Sequence, residues 1–213
     1  MRNDICYIAI DGREGSENAV DKLSLIGSKA KEKFGFGEVV VLSAVPSKLT
    51  YSNVSVRSIG DMSLAEYSAF VFSKIHLYTD KPYILIYQDD GYALNKDRWN
   101  PKFMDYDYIG APWPERFNWS AKGYKVGNGG FSLRTRKFCE FCSTLPFPNQ
   151  PEDMAICVRY RDLLVKRGFK FAGQHLAKEF SCEYPIDESH SLRTSFGFHG
   201  KHNLKLAEDI AND

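Results

Sequence analysis

The chain has 213 residues, enough for one domain with a full hydrophobic core. Its 28 Lys plus Arg nearly cancel 27 Asp plus Glu, which removes the overall basic field that a nucleic-acid binder uses. No apolar run approaches the roughly 18 residues of a membrane span, and the amino terminus carries no secretory h-region, so the chain reads as soluble, not secreted and cytoplasmic.

Ile5 to Ile10 reads as a first buried strand. The loop Asp11-Gly12-Arg13-Glu14-Gly15 follows it, and then a helix starting near Ser16. Ala19, Val20, Leu23, Ile26, Ala30 and Phe34 recur there at helical spacing, and Gly35 is its stop. Glu38 to Ser43 is a second buried strand. Ser63-Leu64-Ala65-Glu66 has capping-box spacing and opens a helix expected to reach Leu77. The strand Tyr83 to Tyr87 comes next, so the first half alternates strand and helix as a mostly parallel, helix-covered α/β sheet does. Beyond Gly91 the chain is rich in loops and aromatic residues. Cys139 and Cys142 have Cys-x-x-Cys spacing with no second pair, and they are expected to pack on a helix after Thr135. The five scattered cysteines fit reduced thiols. Pro151-Glu152-Asp153 opens a last helix that ends at Gly168.

The most informative junction is Tyr83-Ile84-Leu85-Ile86-Tyr87 running into Gln88-Asp89-Asp90-Gly91. Carboxylates at the carboxyl end of a buried strand stand where open α/β sheets bind ligands, although Asp-Gly is also a common solvated turn. A literal Asp-x-Asp at Asp105-Tyr106-Asp107 precedes a short strand-like run instead, where carboxylates start strands or fix turns. Mg²⁺ and Mn²⁺ take oxygen ligands, and Mn²⁺ also accepts imidazole, so Asp90 and His199 could supply a protein share. Lys201, two residues on, could hold a phosphate. Gly127-Asn128-Gly129-Gly130 presents little side chain, which would let another molecule approach the backbone. Asp153, in the first turn of its helix, either complements the helix dipole or aims a carboxylate into a cleft.

Four blocks in this order, Gln88 to Asn95 with Trp99, Tyr106 to Trp113, Gly127 to Arg134, and Pro151-Glu152-Asp153, resemble GT-A-type glycosyltransferases, including those of large chlorella-infecting viruses. The resemblance spans roughly Ser63 to His199, and the first sixty residues match only as a generic nucleotide-binding start. It implies a GT-A-like α/β fold in a single domain, with a nucleotide-binding half at about 1–95 and an acceptor half at about 96–213, and leaves room for the chain to be the first part of a longer protein. It further implies a UDP-sugar donor, Mn²⁺ or Mg²⁺, a glycan or glycoprotein acceptor, and transfer of a hexose or deoxyhexose. On this resemblance Asp90 and His199 are metal ligands, Asp89 is a weaker ligand beside them, and Lys201 faces the diphosphate. Gly127, Asn128, Gly129 and Gly130 border the donor sugar and acceptor, and Asp153 is the catalytic carboxylate. Asp11 and Arg13, with Arg57 a weaker third, form the uridine pocket. Two other readings are a metal-dependent phosphohydrolase acting on nucleotide-sugars and a non-catalytic module whose Trp113 and Trp119 stack on glycans.

Overall fold

The computed structural model describes residues 2–13, 15 and 17–212, with Asn212 described by its backbone only; the loop position Glu14, the expected helix start Ser16, and both terminal residues lie outside it. In chain order the elements are β1 (Ile5–Asp11), α1 (Glu17–Phe34), β2 (Glu38–Ser43), β3 (Ser55–Ser58), α2 (Leu64–Ser73), β4 (Tyr83–Ile86) and β5 (Tyr108–Ile109). The second half adds α3 (Asn118–Ala121), β6 (Ser132–Thr135), α4 (Arg136–Ser143), α5 (Glu152–Met154), α6 (Arg161–Lys166), α7 (Gln174–Phe180), β7 (Ser181–Cys182), β8 (Gly197–Phe198) and α8 (Leu204–Asn212). Six strands form the central sheet in the order β3-β2-β1-β4-β6-β5. β3, β2, β1 and β4 are mutually parallel, and β6 is antiparallel to both of its neighbours.

Every residue of β1 is buried because the sheet is covered on both faces, and the two-residue period of the strand divides it between two cores. Ile5, Tyr7 and Ala9, with Val39, Val41, Leu85 and Tyr87, pack against Val20, Leu23, Ala30 and Phe34 of α1. Cys6, Ile8 and Ile10, with Val40, Leu42, Ile84 and Ile86, face Val71 and Phe72 of α2 and Phe138, Cys139 and Cys142 of α4. All five cysteines are free and buried, and the Cys139–Cys142 pair lies on a helix whose N-cap is Thr135.

Three elements depart from the sequence expectation. β3 contains one strongly apolar residue, Val56, and lies at the sheet edge, so it has no hydrophobic run to announce it. α2 does form its capping box at Ser63 and Glu66, but it leaves helical geometry at Lys74 and continues as a 3₁₀ turn, Ile75–Tyr78. The helix beginning at Pro151 is interrupted by a π-turn over Ala155–Arg159 before α6, and Gly168 with φ 87° ends it as expected.

Candidate active site

β1 and β4 are adjacent and parallel, and the crevice beyond their carboxyl ends is where the sheet exposes its chemistry. There the chain reverses in a tight turn: Gln88 N donates to Gly91 O at 2.7 Å and Gly91 N to Gln88 O at 3.2 Å. Asp89 and Asp90 occupy the corner of that turn. The cleft beside it, about 560 Å³, is bounded by Asp11, Arg13, Tyr67, Asp89, Asp90 and Lys201. Asp11 is buried and accepts three hydrogen bonds from Arg13, from its N at 3.1 Å, its Nε at 2.8 Å and its Nη2 at 3.0 Å. The hydrogen bonds Arg13 donates to Asp11 overcome partial burial and raise the guanidinium pKa, with the charges of Asp11, Asp89 and Asp90 adding to the effect. Arg13 therefore lies in the field of the same carboxylates as the turn. A second cavity, about 450 Å³ at the ends of β2 and β3, includes Ser24, Ser43, Val45 and Tyr51 and has no charged side chain in its lining.

His199 reaches the turn from the far end of the sequence. Gly200 N donates to Asp90 O at 2.8 Å, and His199 N donates to Cys182 O at 3.1 Å, so the two segments are joined through their backbones. The ring is wedged between two glycines: a Cβ at Gly91 would lie 2.6 Å from His199 Cδ2, and one at Gly130 would lie 2.1 Å from Nε2. Nε2 stands 3.0 Å from Gln88 Oε1 and 3.6 Å from Asp90 Oδ1. Nδ1 stands 3.1 Å from Asn128 Nδ2 and 3.4 Å from Glu183 Oε1. Burial alone would lower the imidazole pKa; the hydrogen bond and charge of Glu183, with Asp90 and Asp153, overcome it and raise the pKa above its ordinary value.

The glycine-rich loop packs closely against the rest of the protein. Its glycines make room for side chains of the protein itself: a Cβ at 127 would strike Trp113 at 1.8 Å, one at 129 would strike Glu152 at 1.9 Å, and one at 130 would strike His199. Asn128 has φ 65° and is buried; its Oδ1 accepts from Gly130 N at 3.0 Å while Nδ2 faces His199. It is thus a positioning residue within the protein. Glu152 is buried and pairs with the fully buried Arg134 on β6 at 2.5 Å. Its neighbour Asp153 accepts from Met154 N at 2.8 Å. Burial first, and the adjacent Glu152 charge second, push the Asp153 carboxyl up to about 6. The charge of Asp153 also helps raise the pKa values of Tyr67 and His199.

Asp90, His199, Asp11, Arg13, Asp89 and Lys201 are brought around one cleft mouth, and Arg57 is not. Its guanidinium turns back to the amino edge of the sheet, where it binds Glu38 at 2.8 Å and Tyr78 O at 2.7 Å. Asp107 fixes a turn, accepting from Thr135 Oγ1 at 2.7 Å and Lys170 N at 2.9 Å. Trp113 is buried against Gly127, so it offers no open face for a sugar. Three further participants have no role assigned from the sequence: Gln88, which opens the acidic junction, Tyr67, whose hydroxyl accepts from Gln88 Nε2 at 2.9 Å, and Glu183, in an unpatterned segment.

Among the described residues no group of three His, Cys, Asp or Glu side chains is arranged to hold a metal. The donors present are one carboxylate oxygen, one imidazole nitrogen and the Gln88 amide oxygen, a set that suits Mn²⁺ if phosphate and water complete it. Bonds of about 2.1 Å at a right angle place two ligand atoms about 3 Å apart. The observed 3.6 Å between Asp90 Oδ1 and His199 Nε2 needs only a small closure to reach that.

No curated protein matches the chain. Among solved structures, a glycosyltransferase involved in glycosylation of the major capsid of PBCV-1 superposes with a TM-score of 0.55 at 11% identity, over 98% of this chain and 100% of that one. The galactosyltransferase LgtC, bound to donor and acceptor sugar analogues, gives 0.53 at 13% identity, over 98% and 95%. The mannosyltransferase PcManGT from Pyrobaculum calidifontis, in complex with GDP-Man and Mn²⁺, gives 0.47 at 10% identity; that alignment takes in 78% of this chain, which spans about half, 53%, of the longer protein. The first two likenesses show that the GT-A fold implied by the sequence resemblance is the fold of this chain. Residues 53–199 match the family described as a protein of unknown function (DUF5672), a stretch that takes in the Gln88 turn, the glycine-rich loop, Asp153 and His199, and the chain belongs to that family.

Proposed function

We propose that the protein is a metal-dependent glycosyltransferase that moves a hexose or deoxyhexose from a UDP-sugar to a hydroxyl of a glycan acceptor. The observation that carries this reading is the convergence of Asp90, His199 and Gln88 at the mouth of a cleft whose other walls are Asp11, Arg13 and Lys201. Asp11 and Arg13 bind the nucleoside end, and Arg13 and Lys201 flank the diphosphate with positive charge. Gln88, Asp90 and His199 would hold Mn²⁺ or Mg²⁺, which when bound supplies Lewis-acid stabilisation of the departing diphosphate. The half at about 1–95 serves the nucleotide, and the half at about 96–213 serves the acceptor.

As the bond from the anomeric carbon to the diphosphate breaks, negative charge grows on the leaving oxygens and positive charge on the sugar. Lys201 and Arg13 stabilise the first most strongly when it is largest, in the transition state. Asp153, ionised above about pH 6, answers the second and takes the acceptor proton. Glu152 is committed to Arg134 and is unavailable for either role.

Calorimetric titration of UDP in the presence of Mn²⁺, repeated with EDTA, tests the reading. Binding that needs the metal, is lost in Asp90→Ala and persists in Arg57→Ala is the expected result. Equal binding with EDTA, or release of nucleoside monophosphate from UDP-sugars without acceptor dependence, would replace it with a binding module or a phosphohydrolase respectively.

A further inference from the structure

The glycines at 91 and 130 confine His199 to one ring position, yet the groups around its nitrogens ask for two different placements of its proton. The Asn128 amide has a settled orientation, because its Oδ1 accepts from Gly130 N at 3.0 Å. Its N–H therefore faces Nδ1 at 3.1 Å and calls for a lone pair there. Glu183 Oε1, 3.4 Å from the same nitrogen, calls for an N–H. A neutral ring can serve only one of them.

The opposite nitrogen decides between them. With the proton on Nε2, that N–H donates to Gln88 Oε1 at 3.0 Å and faces Asp90 Oδ1, while Nδ1 accepts from Asn128. With the proton on Nδ1, Glu183 accepts it, and the Nε2 lone pair confronts two oxygens at 3.0 and 3.6 Å. That second arrangement is favourable only when a cation lies among the three atoms.

We propose that Asn128 and Glu183 hold opposite tautomers of His199: Asn128 holds the cation-free Nε2–H form, and Glu183 holds the Nδ1–H form that presents Nε2 to a divalent cation. The inference rests on the metal-dependent reading above. In the switch an N–H bond breaks at Nε2 and one forms at Nδ1 by exchange with water; the ring gains and loses no net proton, and the Nε2 lone pair passes to the cation. Glu183 and Asn128 are positioning residues. The conversion needs no ring rotation, which the two glycines leave no room for.

Two measurements test it, both at a pH where the ring is neutral. Nitrogen-15 histidine spectra of the cation-free protein, with His199 assigned by its loss in His199→Asn, should place the proton on Nε2. Mn²⁺ affinity should fall by about 10- to 100-fold in Glu183→Gln, the range found when an outer-shell partner of a metal-bound histidine is removed. It should be undiminished or tighter in Asn128→Gly, because glycine accepts the φ of 65° and the donor that favours the cation-free tautomer is gone. A general structural role would weaken both variants alike. Glu183→Gln within twofold of wild type, Asn128→Gly weakened as much as Glu183→Gln, or a cation-free proton on Nδ1 would each overturn the proposal. Absence of Mn²⁺ affinity in the wild-type protein would overturn the metal reading and the Glu183 half with it, while the nitrogen shifts would still decide the Asn128 half.

Discussion

Replacing Asp153 by Asn should make the protein more stable while abolishing transfer. The folded protein raises this carboxyl from 3.8 to about 6, chiefly by burial and then by the charge of Glu152. It therefore holds the proton more tightly than the unfolded chain does. Ionisation then costs stability progressively as the pH rises from about 4 to about 6, and the cost is constant above that. Roughly two pKa units at about 1.4 kcal/mol each give about 3 kcal/mol at pH 8, falling to about 1 kcal/mol at pH 4.5. Asn keeps an oxygen for the Met154 N–H, so little is lost in exchange. Urea denaturation of both proteins at the two pH values measures the difference, and sugar transfer with saturating donor measures activity. If the variant is no more stable at pH 8, or if its advantage is the same at both pH values, the burial argument is wrong. If it still transfers sugar at the wild-type rate, Asp153 is not the carboxylate the chemistry uses.

Gly130→Ala should cost about 1–3 kcal/mol through overpacking and should also remove Mn²⁺ affinity, because its Cβ would lie 2.1 Å from His199 Nε2 and the ring is already blocked on the Gly91 side. Chemical denaturation together with a metal titration checks both parts, and retained metal affinity would show that the ring can yield. Glu152→Ala leaves the Arg134 guanidinium buried without its counter-charge and should cost about 3–5 kcal/mol in urea denaturation. Arg57→Ala, at a half-exposed pair, should cost at most about 1 kcal/mol by the same measurement.

The parallel half of the fold was legible because burial on both faces produces continuous apolar runs. Ile5 to Ile10, Glu38 to Ser43 and Tyr83 to Tyr87 each appear as strands at nearly the expected bounds. β3 was invisible because an edge strand of Ser-Val-Arg-Ser needs little apolar character. At the site, Asp90 and His199 could be named from residue type and resemblance, and the structure places them 3.6 Å apart. Gln88 opened that same junction but its role could not be assigned, and Glu183 had no local pattern at all; both take their meaning from what a distant segment places beside them. Arg57 illustrates the converse error: an arginine near a nucleotide-binding start was a plausible ligand, but its long side chain found Glu38 at the opposite edge.

The three glycines at 127, 129 and 130 have a consequence for the order in which the protein can fold. Each leaves a vacancy matched to a side chain from elsewhere, Trp113 before the loop, Glu152 shortly after it, and His199 from near the end of the chain. Until those segments dock, the loop has no internal side-chain packing to fix its path, and Asn128 has no ring to meet. Of these contacts only the one from His199 spans a long stretch of chain, and β1 pairs with β4 across a stretch longer still, so loop closure alone does not delay it. Chain order is what delays it: a chain still emerging from synthesis would possess the β1–β4 crevice without a finished site until residue 199 had arrived.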